Sequence, residues 1–241
     1  MRAAVLQPTY LPWMGYFGMI DLADTFVFYD DVQFVKQSWQ QRNKIKSPGG
    51  EWIWLSVHVI HEFGQNINQV LVNDSSNWSE KHWKSIYQSY AKAPFFKEFQ
   101  GEIKEVYSRE WKYLGELNIF IIRKLCRLFG VKEPKFVLSS ELEDIKDSKT
   151  NRLLNVLGKI GAGEYICNPG SRSYIRPGDF AERGIKLFWY EYQHPVYPQI
   201  RGEFIPYLSA IDLLFNAGPK SVDFIRQGAR DALKLDEVFM K

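Results

Sequence analysis

The sequence predicts an α/β fold: a mostly parallel, Rossmann-like sheet with helices on both faces and an inserted helical segment. Three observations lead to this prediction. A strand–helix–strand pattern comes first, a run of helical patterns follows, and alternating strand and helix patterns then return. Because no repeat, low-complexity tract or linker divides the 241 residues, we expect residues 1–241 to form one domain.

The strand–helix–strand unit occupies the first thirty residues. Its first strand is a short apolar run, residues 3–6, which is followed by Gln7 and Pro8, as is typical of a buried parallel strand that enters a loop. Residues 14–22 carry apolar side chains with helical spacing. Residues 25–29 are rich in β-branched and aromatic side chains, which favours a second strand.

The loops that follow these two strands span residues 7–14 and 30–43. Crossovers between parallel strands are right-handed, so both loops should lie at one edge of the sheet, where ligands bind in such folds. We therefore expect the two loops to open onto one cleft.

The remaining elements follow from hydrophobic periodicity and from turn residues. The helical patterns near residues 78–130 form the inserted segment, and Gly130 is expected to end its last helix. Strands are predicted over residues 52–59, 68–72, 135–138, 164–167 and 185–190. Helices are predicted over residues 78–90, 94–107, 111–129, 149–160, 209–215 and 221–226.

Composition excludes several classes of protein. Apolar residues make up 45% and charged residues 24%, which excludes a disordered or fibrous chain. The net charge of +3 is too small to indicate nonspecific nucleic-acid binding. Cys126 and Cys167 fit neither a zinc motif nor a disulfide framework, so we expect buried, reduced thiols. With no signal peptide pattern and no run of ~18 apolar residues, we expect a cytoplasmic protein without a membrane span.

The first loop combines prolines with large aromatic side chains. The prolines stiffen it, and Tyr10, Trp13 and Tyr16 can line a ligand cleft beside Gln7. Gly15 permits close backbone approach near a helix N-terminus, which favours a phosphate group. The alternative is a loop whose aromatic side chains merely cap the sheet.

The second loop carries the charged candidates. Asp30 and Asp31 are adjacent carboxylates that can bind sugar hydroxyls or a divalent metal, and Arg42 and Lys44 can bind phosphate or carboxylate groups. The alternative is an edge strand with solvated charges. The further candidates of this loop are Gln33, Trp39 and Asn43.

Two isolated residues remain. His194 lies between prolines in an extended loop, which makes it the preferred acid or base among the four histidines. Asp212 lies within an apolar helical run, so we predict a buried carboxylate that bonds His194 or the backbone of a ligand loop. The alternative is a solvated aspartate on the polar side of a surface helix. No metal site is predicted, because His58 and His61 are placed on opposite faces of a strand end.

Three ordered groups of motifs cover nearly the whole chain. They lie at residues 7–8, 12–13 and 15–17; at residues 30–34, 38–39 and 42–43; and at residues 197–199, 204–206 and 208–216. With these motifs the chain resembles the WbqC-like family, whose members occur among bacterial genes for O-antigen and other surface polysaccharides. The resemblance implies a transferase that joins glycine or another amino acid to an amino sugar or nucleotide sugar. Its partners are then small molecules, with no nucleic acid.

An amide made from a carboxylate needs activation, either by ATP with Mg²⁺ or in a donor that arrives already activated. In this hypothesis the first loop, with Lys149 or Arg172, flanks the phosphates. Asp30 or Asp31 orients the acceptor, and His194 takes a proton from the attacking amine. The other candidate binding residues are Tyr197, Gln199 and Asp212.

A weaker likeness concerns pantothenate synthetase and other nucleotidylyl transferases. Gly15 and Gln33 occupy similar places, but Trp13 and Tyr16 stand where those enzymes have histidines, so the histidine chemistry cannot be carried over. The rival to any enzyme is a non-catalytic protein that binds a sugar or nucleotide sugar within the polysaccharide assembly machinery. Aromatic faces with carboxylates and amides suit both functions.

Overall fold

The computed structural model describes residues 1–143, 145 and 149–240. The strands are β1 (Arg2–Leu6), β2 (Thr25–Phe28), β3 (Arg42–Lys46), β4 (Trp52–Ser56), β5 (Val59–Ile60), β6 (Leu71–Val72), β7 (Lys135–Leu138), β8 (Glu164–Cys167), β9 (Lys186–Tyr190) and β10 (Leu233–Leu235). The helices are α1 (Met14–Leu22), α2 (Trp78–Tyr90), α3 (Phe96–Ser108), α4 (Leu114–Phe129), α5 (Lys149–Lys159), α6 (Pro177–Glu182), α7 (Ala210–Ala217) and α8 (Ser221–Ala229).

The central sheet has the strand order β7-β2-β1-β8-β9-β10. Every pair is parallel except β9 with β10, which is antiparallel. This confirms the mixed α/β fold with a mostly parallel sheet. The order reverses beside β1, because the chain adds β2 and β7 on one side and later β8 and β9 on the other. Such a reversal is the switch point at which doubly wound sheets bind ligands.

Two apolar cores lie on the two faces of this sheet. Ala4 and Phe26 belong to the larger core, whereas their neighbours Ala3 and Val27 belong to the smaller one, because successive side chains of a strand face opposite sides. Helices α1, α4 and α7 contribute to the larger core, and α5 and α6 contribute to the smaller. The predicted helices on both faces are thus confirmed.

The inserted helical segment also agrees with the periodicity. Helices α2, α3 and α4 follow one another between the β6 and β7 strands. Gly130 ends α4 with a φ of 69°, the left-handed conformation that glycine adopts without strain. The predicted start of α3 was two residues too early, because Pro94 precedes the helix.

The segment between β2 and α2 differs most from the prediction. Residues 42–46 form a strand, β3, that pairs antiparallel with β4, and the predicted strand over residues 52–59 is divided into β4 and β5. The alternation of charged and buried side chains along β3 is a strand pattern with one buried face. Reading the segment as a loop missed that pattern.

Two smaller expectations concern the thiols and the membrane. Cys126 and Cys167 are free and buried, as predicted. Within the described part of the chain, no helix combines the length and apolar character needed to cross a bilayer.

Candidate functional site

A cavity of about 1250 Å³ lies at the carboxyl edge of the central sheet. Residues that directly follow the strands line it: Gln7 after β1, Tyr29 after β2, Asn168 after β8 and Glu191 after β9. The cavity therefore lies at the switch point between β1 and β8. Because pockets for drug-sized ligands occupy roughly 300–1,000 Å³, this one can hold a ligand larger than a single sugar.

Both predicted ligand loops reach this cavity, as expected. The Gln40 side-chain amide donates to Gln7 Oε1 at 2.8 Å, and the Tyr10 backbone N–H donates to the Trp39 carbonyl at 2.9 Å. The sequence-predicted residues that line the cavity are Gln7, Trp13, Gly15, Tyr16, Asp31, Gln33, Trp39 and Asn43.

A buried asparagine of helix α4 forms hydrogen bonds with both loops. Asn118 has no exposed surface, and its Nδ2 donates to the Pro8 carbonyl at 3.0 Å and to the Gln40 carbonyl at 2.8 Å. The loops are therefore held together by the helical segment as well as by each other. Sequence reasoning missed Asn118, although a polar residue in an otherwise apolar helix face was a visible signal.

Trp13 forms one wall of the cavity. Its ring contacts Tyr192 edge-on at 5.2 Å between centroids and Tyr207 at 5.5 Å, and both tyrosines also line the cavity. The indole occupies the space beside Gly15, where an added β-carbon would lie 2.2 Å from the ring. Gly15 therefore makes room for an indole, whereas the sequence suggested room for phosphate.

Asp31 and Arg152 form the charged part of the cavity. Asp31 accepts a hydrogen bond from Ser139 Oγ at 2.5 Å and forms an ion pair with Nη2 of Arg152. Arg152 extends from helix α5, and its Nε is buried without a partner in the described residues. Because a guanidinium can bind phosphate or carboxylate through two donors, Arg152 is the candidate anion ligand. Sequence reasoning chose Lys149 of the same helix, whose side chain lies outside the described residues.

Asp30 has a different position from Asp31. It is 3% exposed and does not line the cavity. Its carboxylate accepts from the Ser140 backbone N–H and from the Ser139 hydroxyl, both at 3.1 Å, and from the Ser140 hydroxyl at 2.7 Å. Asp30 therefore fastens the turn after β7 to the loop after β2, and the structure does not bring it to the cavity with Asp31.

His194 also lies outside the cavity lining. Its Nε2 accepts from the Tyr207 backbone N–H at 3.1 Å, so the ring proton lies on Nδ1, which donates to the Pro195 carbonyl at 3.0 Å. Burial lowers the pKa of His194, which favours the neutral ring. The ring stacks near Trp13, with 6.2 Å between centroids and 13° between planes. In this geometry His194 holds Tyr207 and Trp13 in place.

Arg42 and Lys44 point away from the cavity. The Arg42 guanidinium lies 4.2 Å from the centroid of the Trp54 ring, and Lys44 Nζ lies 3.9 Å from that of Trp52. Alternation along β3 sends these two side chains outward and Asn43 inward. Asn43 then donates to the Leu11 carbonyl at 2.6 Å and fixes the first loop.

Asp212 is fully buried, as predicted, but its predicted partners are wrong. Its carboxylate accepts from the hydroxyls of Tyr90 at 2.9 Å and Tyr197 at 2.8 Å, and not from His194 or a loop backbone. Burial raises the pKa of Asp212 to about 6, and the two tyrosine hydrogen bonds oppose that rise. Gln199 donates to the Tyr197 hydroxyl at 3.1 Å, so Tyr197 and Gln199 support this buried network and do not line the cavity.

The last two sequence candidates also lie off the cavity. Tyr10 is buried beneath the first loop, where its hydroxyl meets His82 Nδ1 at 2.8 Å and the Tyr107 hydroxyl at 2.9 Å. Arg172 is more than half exposed and pairs with Glu191 at 2.7 Å. Arg172 does not line the cavity, but its partner Glu191 does.

Tyrosines supply much of the wall that sequence reasoning missed. Tyr29 and Tyr192 follow strands β2 and β9, Tyr165 lies within β8, and Tyr174 and Tyr207 come from the segments between later elements. The missed lining residues include Tyr29, Thr150, Arg152, Tyr165, Asn168, Ser171, Tyr174, Glu191, Tyr192 and Tyr207. Across the described ranges, no group of three or more His, Cys, Asp or Glu side chains is arranged to hold a metal ion.

Comparisons with known proteins were made for the whole chain. Residues 7–224 match the WbqC-like protein family. The chain is 35% identical over 228 residues to a protein of Mycobacterium tuberculosis (strain ATCC 25618 / H37Rv) described as "Uncharacterized protein Rv1507c". That match covers 93% of this chain and 97% of the relative. No solved structure matches the chain.

Proposed function

The chain belongs to the WbqC-like family, which suggests a role in polysaccharide gene clusters, and from that premise we propose a transferase of bacterial surface polysaccharide (O-antigen) biosynthesis. In this proposal it joins glycine, or another amino acid or acyl group, to an amino sugar or nucleotide sugar. One observation carries the proposal: the switch-point cavity combines an aromatic wall with an arginine.

The aromatic wall supports a sugar ligand. The flat apolar face of a sugar ring packs well on aromatic rings, and Trp13, Tyr192 and Tyr207 offer such rings together. The side-chain amides of Gln7 and Gln33 line the same space and can bond hydroxyl groups. We assign the acceptor sugar to this side of the cavity.

Arg152 supports a phosphorylated ligand. It lines the cavity from helix α5 and pairs with Asp31 of the loop after β2, at the carboxyl edge where doubly wound sheets bind ligands. Its guanidinium lines the cavity and can donate to a phosphate or carboxylate oxygen of a ligand. Either a nucleotide sugar or ATP would use this contact.

The reaction forms one carbon–nitrogen bond. The amine of the sugar attacks the activated acyl carbon, the bond from that carbon to its leaving group breaks, and the proton of the amine passes to the departing group. Asp31 lines the cavity and pairs with Arg152, so we assign it to orienting the amine. We do not assign proton removal to His194, because both of its ring nitrogens are bonded to the backbone.

ATP activation would bring Mg²⁺ with the phosphates, and the ion would need carboxylate ligands in the cavity. The two carboxylates that line the cavity, Asp31 and Glu191, are each paired with an arginine, Arg152 and Arg172. Magnesium prefers carboxylate oxygens that are free to coordinate. The described cavity therefore does not fit a preformed magnesium site.

The same pairing favours a second candidate function, a non-catalytic binder of a sugar or nucleotide sugar. Both lining carboxylates are neutralised, and His194 has no free nitrogen. A binding protein needs complementary surfaces but no base. Product formation separates this candidate from the transferase.

The test begins with binding and ends with product analysis. Calorimetry should detect a nucleotide sugar or ATP, and Arg152→Gln should weaken that binding by roughly tenfold or more, since a charge-assisted contact contributes about 1.5–3 kcal/mol. Arg2→Gln is the matched control, because Arg2 forms a similar ion pair with Glu164 at the opposite edge of the sheet.

Mass spectrometry of the protein with an amino sugar nucleotide, glycine and ATP should then show an amide product. Arg152-dependent binding without any product would favour the binding protein. If neither nucleotide nor nucleotide sugar binds, or if both arginine variants behave alike, the proposed function is wrong.

A further inference from the structure

Three tryptophans form a row on the surface beside the cavity. The centroids of Trp39 and Trp54 lie 5.5 Å apart, and those of Trp54 and Trp52 lie 5.7 Å apart. Trp39 is 52% exposed and Trp52 is 43% exposed. Adjacent exposed indoles are costly to leave in water, so such a row indicates a surface that binds something.

Two cations alternate with these rings. Arg42 lies over Trp54, and Lys44 Nζ lies 3.9 Å from the centroid of Trp52 and 5.1 Å from that of Trp54. Neither cation forms an ion pair with any residue that the structure describes. Their charges are thus available to an anionic ligand. We call these five residues, Trp39, Arg42, Lys44, Trp52 and Trp54, the ladder.

Strand pairing fixes four of the five ladder residues, and the fifth, Trp39, packs against Trp54. Lys44 lies opposite Trp54 and Lys46 lies opposite Trp52 in the antiparallel β3–β4 pair, so Lys44, Trp52 and Trp54 share one face. The other face is inward, and Asn43, Ile45 and Leu55 are buried there. Since the backbone sets these positions, the ladder presents a fixed arrangement of rings and charges.

The ladder is continuous with the cavity. Trp39 lines the cavity and also packs against Trp54, so the row of rings starts at the cavity mouth and runs outward along β4. A ligand that fills the cavity and extends beyond it would pass over Trp39 first. This continuity indicates one extended ligand.

We infer that the ladder binds an acidic glycan that extends out of the cavity, so that the acceptor is an oligosaccharide chain rather than a lone sugar. This inference rests on the proposed function, because it takes the cavity to hold the sugar end. The apolar faces of two sugar rings pack on Trp39 and Trp52, the two exposed rings of the ladder. Carboxylate groups of the glycan pair with Arg42 and Lys44.

Two other ligands use similar chemistry. Single-stranded nucleic acid stacks on aromatic rings beside cations, and anionic membranes attract tryptophan with lysine. The continuity between Trp39 and the cavity favours the glycan, because neither of the others has a sugar end to place in the cavity. Both are included as outcomes of the test.

Calorimetry measures how tightly the protein binds three acidic hexasaccharides and the neutral maltohexaose. The acidic ones are hexagalacturonate, a hyaluronan hexasaccharide and a sialic acid hexamer. At least one acidic hexasaccharide should bind more tightly than maltohexaose. Trp52→Ala and Lys44→Gln should each weaken that binding about fivefold, and Lys44→Arg should retain it. The matched control is Arg109→Gln, since Arg109 also lies over an aromatic ring, that of Phe120, at 4.4 Å on another surface.

Several outcomes overturn the inference: no acidic hexasaccharide binds, the ladder variants bind as well as the wild type, or Arg109→Gln weakens binding equally. Binding of a thymidine hexanucleotide or of phosphatidylglycerol vesicles in place of the glycans, lost in Trp52→Ala, also overturns it. Melting temperatures show whether each variant folds. Lys44→Gln carries the test if Trp52→Ala does not fold.

The failure of this inference can be told apart from failure of the proposed function. Nucleotide binding depends on Arg152 in the cavity and should not change in Trp52→Ala, because Trp52 does not line the cavity. If the glycan binds through the ladder but no nucleotide binds, the ladder inference is supported and the proposed transferase function is wrong. If an amide product forms on a lone amino sugar, depends on Arg152, and no glycan binds, the transferase function is supported and the ladder inference is wrong.

Discussion

The indole of Trp13 lies directly against the α-carbon of Gly15, where a β-carbon would stand 2.2 Å from Cη2 of the ring. Residue 15 is in the first turn of α1, a place where an ordinary side chain would normally point outward. The missing side chain lets the preceding tryptophan fold back and form a wall of the cavity. The identity of residue 15 thus determines the shape of the cavity.

Gly15→Ala should therefore displace the indole. We expect a loss of about 1–3 kcal/mol in the free energy of unfolding, as is usual for overpacking, together with weaker ligand binding. Urea denaturation and calorimetry measure the two effects. Gly158→Ala is the control, because nothing lies within 4 Å of its would-be β-carbon in helix α5. Alanine there should stabilise the protein by up to ~1 kcal/mol. Equal stability of Gly15→Ala and wild type would show that the indole is not confined.

Asn118→Ala should loosen both cavity loops, because it removes the donors to Pro8 and Gln40. Two buried carbonyls then lose partners, which predicts a loss of about 1–3 kcal/mol in stability. Relative to wild type, the backbone amides of residues 7–13 and 35–41 should exchange faster in Asn118→Ala, whereas those of β8 should change less. If exchange increases uniformly across the protein, Asn118 is a general core residue and not a specific link between the loops.

Asp212 should make stability fall as the pH rises from about 4 to 6. Its pKa is about 6 in the folded protein and 3.8 in the unfolded chain, so the folded state holds the extra proton in this interval. The facing groups are Tyr90, Tyr197 and Lys46. Relative to wild type, Asp212→Asn should gain about 2 kcal/mol between pH 4 and pH 7. Urea denaturation at several pH values checks this, and parallel profiles would contradict it.

His82 should make stability rise with pH, the opposite of Asp212. Burial lowers its pKa from 6.5 to about 4, so the unfolded chain holds the extra proton between these values and stability rises with pH. Relative to wild type, His82→Gln should lose about 3 kcal/mol of stability between pH 4 and pH 7, because the neutral side chain lacks this rise. The same denaturation series measures it. An unchanged difference across the series would show that His82 is protonated alike in both states.

The sheet and the two loops at its carboxyl edge could be predicted because they depend on local hydrophobic patterns and on the handedness of crossovers. The roles of single residues could not be predicted from the sequence. Asp30 and Asp31 are adjacent in sequence, yet Ser140 binds one and Arg152 binds the other, and both partners are more than a hundred positions away. No local pattern contains such pairings.

The position of His194 was equally hidden from the sequence. Its flanking prolines predicted an extended loop, but not that Tyr207 would occupy its free nitrogen. The outward direction of Arg42 was available in principle, since residues 42–46 alternate as a strand does. The charges in that segment masked the strand pattern.

The pairing of β1 with β8 has a consequence for how the protein is made. Arg2 and Glu164 bond across these strands although 162 positions separate them in the chain. Such distant partners make a fold slow to nucleate, because a long loop must close before its contacts form. Translation therefore produces β1 and the first and second loops long before β8. Until β8 pairs with β1, the cavity residues that β8 and the segments after β8 and β9 supply, Tyr165, Asn168 and Glu191, are absent from the edge of the sheet.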